Sequence, residues 1–189
     1  MSTAVLILTL NEIDGIKEIL PQINKSWAEE IVVIDGGSTD GTIDEAKRMG
    51  FPVIIQKRRG HGDAIITGVN ATKSNNILIF GPDGNHEPEE IPRLIEKIKE
   101  GYDQVLISRF GKGSKNLDAV GFKGKIIDYF GNKMFAFLVN VFFGGHWTDS
   151  LNESRIITRK AFDELNFDSL QMGSTQLMSI RGLKRKQKI

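Results

Sequence analysis

The 189-residue chain has no cysteine, which excludes disulfides, thiolate nucleophiles and cysteine-ligated zinc. It has three histidines, His61, His86 and His146, and none shows the H-E-x-x-H spacing of a zinc protease. No apolar run approaches the ~18–20 residues needed to cross a bilayer. Charge of one sign is also lacking: the net charge is +1, so no global field points to nucleic acid. No G-x-G-x-x-G follows the first apolar run and no G-x-x-x-x-G-K-[ST] occurs, which disfavours a dinucleotide site and a P-loop. A G-x-S-x-G elbow is missing too.

What remains is ordinary globular material, 40% apolar and 26% charged, of a length that suits one domain over residues 1–189. The apolar start MSTAVLILTLNE lacks a basic leader and a small-residue cleavage site, so it reads as a first buried strand. A cytoplasmic protein is expected.

The first half alternates strand and helix. Ala4–Thr9, Glu30–Ile34, Pro52–Gln56, Asn76–Phe80 and Gln104–Ser108 read as strands. Asn11–Ile23, a segment from Ser38 or Thr39 to Met49, Gly60–Lys73 and Pro88–Glu100 read as helices, with Gly50 as a stop. This order predicts an α/β fold with an open, mostly parallel sheet flanked by helices. In the second half Gly111–Val120 is a polar loop and candidate flap. Phe122–Phe143 reads as a long phenylalanine-rich helix, Arg155–Thr158 as a short strand, and Arg159–Leu165 and Ser174–Lys186 as helices.

In open parallel sheets, ligands bind beyond the carboxyl ends of the strands. All five strands of the first half run into polar or glycine-rich clusters there. These are Thr9–Glu12, Asp35–Thr42, Arg58–Asp63, Gly81–His86 and Ser108–Arg109. Any one of them reads as turn chemistry, but five on one rim predict a binding site. Acidic and amide groups suit a base and ribose, and glycines let a backbone approach phosphates. Thr9, Asn11, Glu12, Asp35, Gly62 and Asp63 are the candidate donor-binding set. Asp83 and Asn85 are oxygen ligands two residues apart, suited to Mg²⁺ or Mn²⁺ shared with a diphosphate. Arg109 is placed to neutralise a departing phosphate.

IVVIDGGSTDGT (Ile31–Thr42), GPDGNHEPEEIP (Gly81–Pro92), LISRF (Leu106–Phe110), FGNKMF (Phe130–Phe135) and TDSLNESR (Thr148–Arg155) together resemble family 2 glycosyltransferases. The likeness is strongest to the polyprenyl- or dolichol-phosphate sugar synthases, and it runs from about Ala4 to Ile180. It implies a GT-A fold, a nucleotide-diphosphate sugar donor, Mg²⁺ or Mn²⁺, inversion at the anomeric carbon, and a role in cell-wall or glycolipid synthesis. The donor half would be residues 1–110 and the acceptor half residues 111–189. By the same resemblance Asn11, Glu12 and Asp35 lie by the nucleoside, Asp83 and Asn85 hold the metal, and Arg109 and Lys125 meet phosphates. Arg155 is kept from the family's SGFR motif and joins the candidate phosphate-binding set. Three departures stand out. Gly36 and Gly81 replace acids that the family often carries, and Asn152-Glu153-Ser154 replaces SGF. Such relatives also continue past the point matching Ile189, so a C-terminally shortened form is one expectation.

An inverting transfer to a hydroxyl needs a general base. MGSTQL (Met172–Leu177) offers no carboxylate where many relatives have one, which leaves Asp149 first and Glu153 second as candidates. The candidate catalytic set is thus Asp83, Asp149 and Arg109. A phosphate acceptor needs no base, so a polyprenyl phosphate at the membrane surface is the expected acceptor and nucleic acid is not. A soluble or polysaccharide acceptor, and a non-catalytic nucleotide-sugar-binding domain, are the alternatives. Met134–Phe143 reads as a core-packing helix ahead of a bilayer-grazing one, and the basic tail Arg181–Lys188 as a solvated helix end or a lipid contact.

Overall fold

The computed structural model describes residues 1–84, 86–108, 121–145, 147–149, 152–168 and 173–189, with the backbone alone over 121–129. The elements in chain order are β1 (Thr3–Thr9), α1 (Ile13–Ile19), β2 (Glu30–Asp35), α2 (Thr42–Arg48), β3 (Val53–Ile55), α3 (His61–Ala71) and β4 (Asn76–Phe80). They continue with α4 (Glu90–Ile98), β5 (Gln104–Leu106), α5 (Gly121–Phe143), β6 (Arg155–Thr158), α6 (Arg159–Glu164) and α7 (Ser174–Lys184).

The six strands form one sheet in the order β3-β2-β1-β4-β6-β5. Strands β1 to β4 are mutually parallel, and β6 is antiparallel to both β4 and β5. The expected fifth parallel strand therefore runs in the common direction, but β6 is inserted between it and β4. Its carboxyl end still joins the same rim.

The apolar runs of β1 and β4 are continuous because both faces of the sheet are covered. Side chains alternate along a strand. Val5 and Ile7 face one core with Leu78, Phe80, Ile16 of α1 and Ile91, Leu94 and Ile95 of α4. Leu6 faces the other, with Ile34, Ile77, Ile79, Ile65 of α3, Phe162 of α6 and Met178 of α7. Gly68 lets α3 lie close against the second core: a Cβ there would stand 2.6 Å from Leu6 Cδ1 and 3.1 Å from Ile34 Cγ1.

Helices α1 to α4 and α7 are shorter than periodicity predicts, α1 and α2 most of all. Asn11 has φ 56°, outside helical geometry, so α1 begins at Ile13. It gives way at Leu20 to a 3-10 turn holding Pro21, which has no N–H to continue the ladder. Helix α2 starts at Thr42, later than Ser38 or Thr39, because side chains claim the amides before it. Asp35 Oδ1 accepts from the N–H groups of Gly37 and Ser38, and Asp40 Oδ1 accepts from that of Thr42.

The long helix α5 corrects the core-packing expectation in part. Asn132, Ala136 and Val139 are buried, whereas Phe130, Met134, Phe137, Val141 and Phe142 lie exposed. Among the described residues no helix is long and apolar enough to cross a membrane. The Gly111–Val120 flap lies outside the described residues.

Gly68→Ala is expected to lower stability by about 1–3 kcal/mol through overpacking. Urea unfolding should show a lower midpoint at an unchanged slope.

Candidate functional site

The site grows from the carboxyl ends of β1, β2 and β4. Asp35, the last residue of β2, is fully buried, and its carboxylate accepts four hydrogen bonds. Oδ2 accepts from Thr9 Oγ1 and Ser38 Oγ, each at 2.7 Å, while Oδ1 takes the amides of Gly37 and Ser38 at 2.8 and 2.7 Å. Thr9 and Asp35 are register partners across parallel strands, so the bond between them locks two loops together. Asp35 thus acts from beneath the rim, as the anchor of its turn.

The loops then interlace above it. The Asn11 amide donates to Ser38 Oγ at 2.8 Å, and Asn11 Oδ1 accepts from the Thr39 amide at 2.9 Å. The Glu12 amide donates to Thr42 Oγ1 at 2.9 Å, and the Ile13 amide to Asp40 Oδ2 at 3.1 Å. The hydroxyl of Thr42 and the amides of Thr42, Ile13 and Asp40 hold the Asp40 carboxyl below its ordinary range.

The loop after β4 is brought to α1 by a close backbone approach. A Cβ built on Gly15 would lie 1.9 Å from the Pro82 carbonyl oxygen and 3.6 Å from Glu12 Oε2. Only glycine fits there, and the next residue, Asp83, is thereby set near Glu12. Burial first, then the negative charges of Asp83 and Asp40, raise the Glu12 pKa. His86 ties the same loop to α4: it is buried, its Nδ1 lies 3.2 Å from Glu90 Oε2, and its ring tilts onto Phe80 at 6.0 Å.

The negative charges of Asp83 and Asp40 act on Glu12, and a divalent cation beside them would relieve that repulsion. Mg²⁺ is usually held by one or two carboxylates plus phosphate oxygens, so Asp83 with Glu12 fits such an ion when a diphosphate completes the set. Among the described residues no group of three or more protein ligands stands ready to hold a metal without that help. Gly81 carries no acid, but a Cβ there would sit 3.9 Å from Asp83 Oδ1, an ordinary contact. A second carboxylate is therefore sterically admissible beside the first.

Next to this cluster lies a hollow of ≈ 190 Å³ lined by Leu8, Thr9, Leu10, Gln56, His61 and Glu153, with glycines 36 and 60 at its edge. Its walls are apolar and its corners polar. His61 Nε2 lies 3.2 Å from Glu153 Oε2. This is an ion-pair contact whose direction falls outside hydrogen-bond geometry, since Nε2 has no hydrogen-bond partner. The His61 imidazole, helped by Arg155 and His86, holds the Glu153 pKa below its ordinary value. A larger hollow of ≈ 720 Å³ opens among Met1, Asn75, Asn76 and Arg159, at the amino ends of β1 and β4, away from all of these groups.

The remaining candidates divide. Gly62 and Asp63 are buried in the first turn of α3, where Asp63 accepts from the Arg58 amide at 3.0 Å and from Arg58 Nε at 2.9 Å. They shape the loop beside the hollow. Asp149 is buried and accepts from Asn132 Nδ2 at 2.6 Å. It lines a different hollow, of ≈ 210 Å³, with Ser108, Trp147 and Thr148. Arg155 corrects a phosphate-binding expectation. It is fully buried within β6, donates to Ser179 Oγ at 2.8 Å and to the Asn152 carbonyl at 3.2 Å, and burial pulls its pKa down to about 9. Asn85, Arg109 and the Lys125 side chain lie outside the described residues.

Glu153 as a wall of the hollow, and Gly15 as the seat of Pro82, are contacts that no local pattern announces. Sequence reasoning reached Glu153 as a second candidate base and as a departure from the SGFR-like motif, and neither placed it beside this hollow.

The family model described as Glycosyl transferase family 2 matches residues 4–165. Glycosyltransferase AglJ of Haloferax volcanii is 29% identical over 97% of this chain and 59% of its own length. A dolichol-phosphate mannosyltransferase of Pyrococcus furiosus is 34% identical over 61% of this chain and 35% of its own length. The chain thus spans well under two thirds of these relatives. Glucosyl-3-phosphoglycerate synthase of Mycobacterium tuberculosis, solved with Mn²⁺, UDP and phosphoglyceric acid, shares the fold at a TM-score of 0.74 and 20% identity, over 97% of this chain and 64% of that one.

Gly15→Ala should push the Pro82 carbonyl off α1 and cost about 1–3 kcal/mol. Thermal denaturation should show the loss as a lower midpoint.

Proposed function

The chain belongs to glycosyl transferase family 2, and on that premise we propose that it moves a sugar from a nucleotide-diphosphate donor to a polyprenyl phosphate, with inversion. The observation that carries this is the interlocked rim. Hydrogen bonds from Thr9 to Asp35, from Asn11 to Ser38 and from Glu12 to Thr42 bind the β1 and β2 loops together, and Gly15 seats the Asp83 loop on them. One small, rigid, acidic platform faces a hollow of nucleoside character.

In this reading the hollow around Leu8, Leu10 and Gln56 takes the nucleoside. Asp83, with Asn85 and Glu12, would hold Mg²⁺ or Mn²⁺, which when bound neutralises diphosphate charge. Asp35 takes no direct part: it fixes the amides of Gly37 and Ser38 so that the loop keeps its shape when the donor enters. Arg109 and Lys125 remain the candidate cations for the phosphates of donor and acceptor. An acceptor phosphate is already ionised and attacks without a base, while the nucleoside diphosphate leaves from the opposite face. The names of the relatives that act on dolichol phosphate support this acceptor.

A hydroxyl acceptor is the second reading: the hollow would then take the acceptor in place of the nucleoside, with the Glu153 carboxylate on its wall as the base. Asp149 suits that role less, being buried against Asn132.

A thermal-shift panel of UDP-, GDP- and dTDP-sugars, with and without Mn²⁺, is expected to single out one donor class. A ligand at one hundred times its Kd stabilises by about 2.7 kcal/mol. Asp83→Asn should abolish the Mn²⁺ dependence, and a panel with no shift anywhere would end the proposal. For the acceptor, Asp149→Asn and Glu153→Gln should each lower transfer to polyprenyl phosphate by less than the ~10²–10⁴-fold that a lost base costs. A loss of that size in either variant would favour the hydroxyl acceptor.

A further inference from the structure

Among the described residues that line the hollow beside the acidic platform, Glu153 is the one carboxylate. It does not come from the β2 loop, where the family often carries an acid and this chain has Gly36. A Cβ at that position would stand 3.1 Å from Leu10 Cδ1 and 3.4 Å from Leu10 Cβ, so a side chain there would compete with Leu10 for the lip of the hollow. Glu153 instead enters from the segment just ahead of β6, with its side chain 55% exposed. The His61 imidazole first, then Arg155 and His86, keeps it ionised.

The other polar side chains of the hollow have their hydrogens engaged elsewhere. The Thr9 hydroxyl donates to Asp35 Oδ2 at 2.7 Å, and Gln56 Nε2 donates to the Gly60 carbonyl at 3.4 Å. The Gly36 amide donates to the Thr9 carbonyl at 2.9 Å. His61 turns both ring nitrogens inward: Nδ1 lies 3.3 Å from Ser174 Oγ, and Nε2 is buried against Glu153. An ionised carboxylate only accepts. The side chains of this hollow thus offer lone pairs, and its occupant has to bring the donors.

Leu8, Leu10 and Ala64 supply apolar walls suited to the faces of a flat ring. At ≈ 190 Å³ the hollow is smaller than the roughly 300–1,000 Å³ of a drug-sized pocket, which suits a base better than a whole nucleotide. Bases differ in what they show a carboxylate. Guanine presents N1–H and N2–H₂ side by side, parallel donors for a pair of oxygens. Uracil and thymine present a single N–H between two carbonyl oxygens, and a carboxylate drawn to that hydrogen meets an oxygen on either side. Cytosine and adenine set their amino group beside an unprotonated ring nitrogen. An acceptor-lined hollow with one carboxylate therefore favours guanine and works against uracil.

We propose that Glu153 reads the base of the donor and that the donor is a guanine nucleotide sugar. The inference rests on the nucleoside reading of this hollow and narrows it to one base. Titration calorimetry of the full chain with Mn²⁺ and GDP, IDP or UDP tests it, since inosine is guanosine without the 2-amino group. GDP should bind about tenfold tighter than IDP, and UDP should bind more weakly than either. Glu153→Gln keeps the shape of the side chain and should weaken GDP about tenfold while leaving UDP unweakened. An unchanged melting temperature without nucleotide reports that the variant is folded, and the comparison of GDP with IDP needs no variant at all.

UDP bound as tightly as GDP, or GDP and IDP bound alike, overturns the proposal and leaves the nucleotide-sugar reading standing. So does an equal loss of GDP and UDP affinity in Glu153→Gln, which would put the carboxylate on the ribose that all three share. If none of the three binds, the nucleoside reading of the hollow falls and the proposal falls with it.

Discussion

The carboxylate of Asp35 is buried at the end of a central strand, and the rim is built outward from it. A buried carboxylate is tolerated only when its lone pairs are used, and here Thr9, Gly37 and Ser38 supply four donors between them. That requirement fixes the ends of β1 and β2 relative to each other. It also keeps the glycine turn open by drawing its amides inward. Asn11 and Glu12 then add bonds between the same two loops.

A second constraint acts across the platform. The Pro82 carbonyl rests on Gly15, and the approach forces Asp83 toward Glu12 and Asp40. Like charges so placed repel, and the fold sustains them through hydrogen bonds made elsewhere on the same loops. A site of this kind stores electrostatic work that a cation bridging to a diphosphate would release. Gly81 carries no acid, and Glu12 is the carboxylate on which the Asp83 charge acts.

Much of the fold could be read from the residues in order. The apolar runs of β1 and β4 are continuous because both faces are buried, and Asn76–Phe80 and Arg155–Thr158 begin and end where their patterns do. Helix boundaries were less legible. Side-chain bonds from Asp35 and Asp40 take the amides that periodicity assigns to the first turn of α2, and such competition depends on a neighbour's position. The insertion of β6 between β4 and β5 was hidden for a similar reason: a four-residue apolar strand pairs with whichever edge the chain's path presents.

The sequence by itself determined the alternation of strand and helix, and with it the gathering of polar strand ends on one rim, because the periods of buried strands and helices are local properties of the chain. Only the tertiary structure decided what each group on that rim does. Asp35 and Arg155 went inside, Asp149 went to another hollow, Glu153 came to the hollow beside His61, and Phe130, Phe137 and Phe142 of α5 turned outward. Burial and pairing depend on contacts between residues far apart in sequence, and those distances exist only once the sheet has formed.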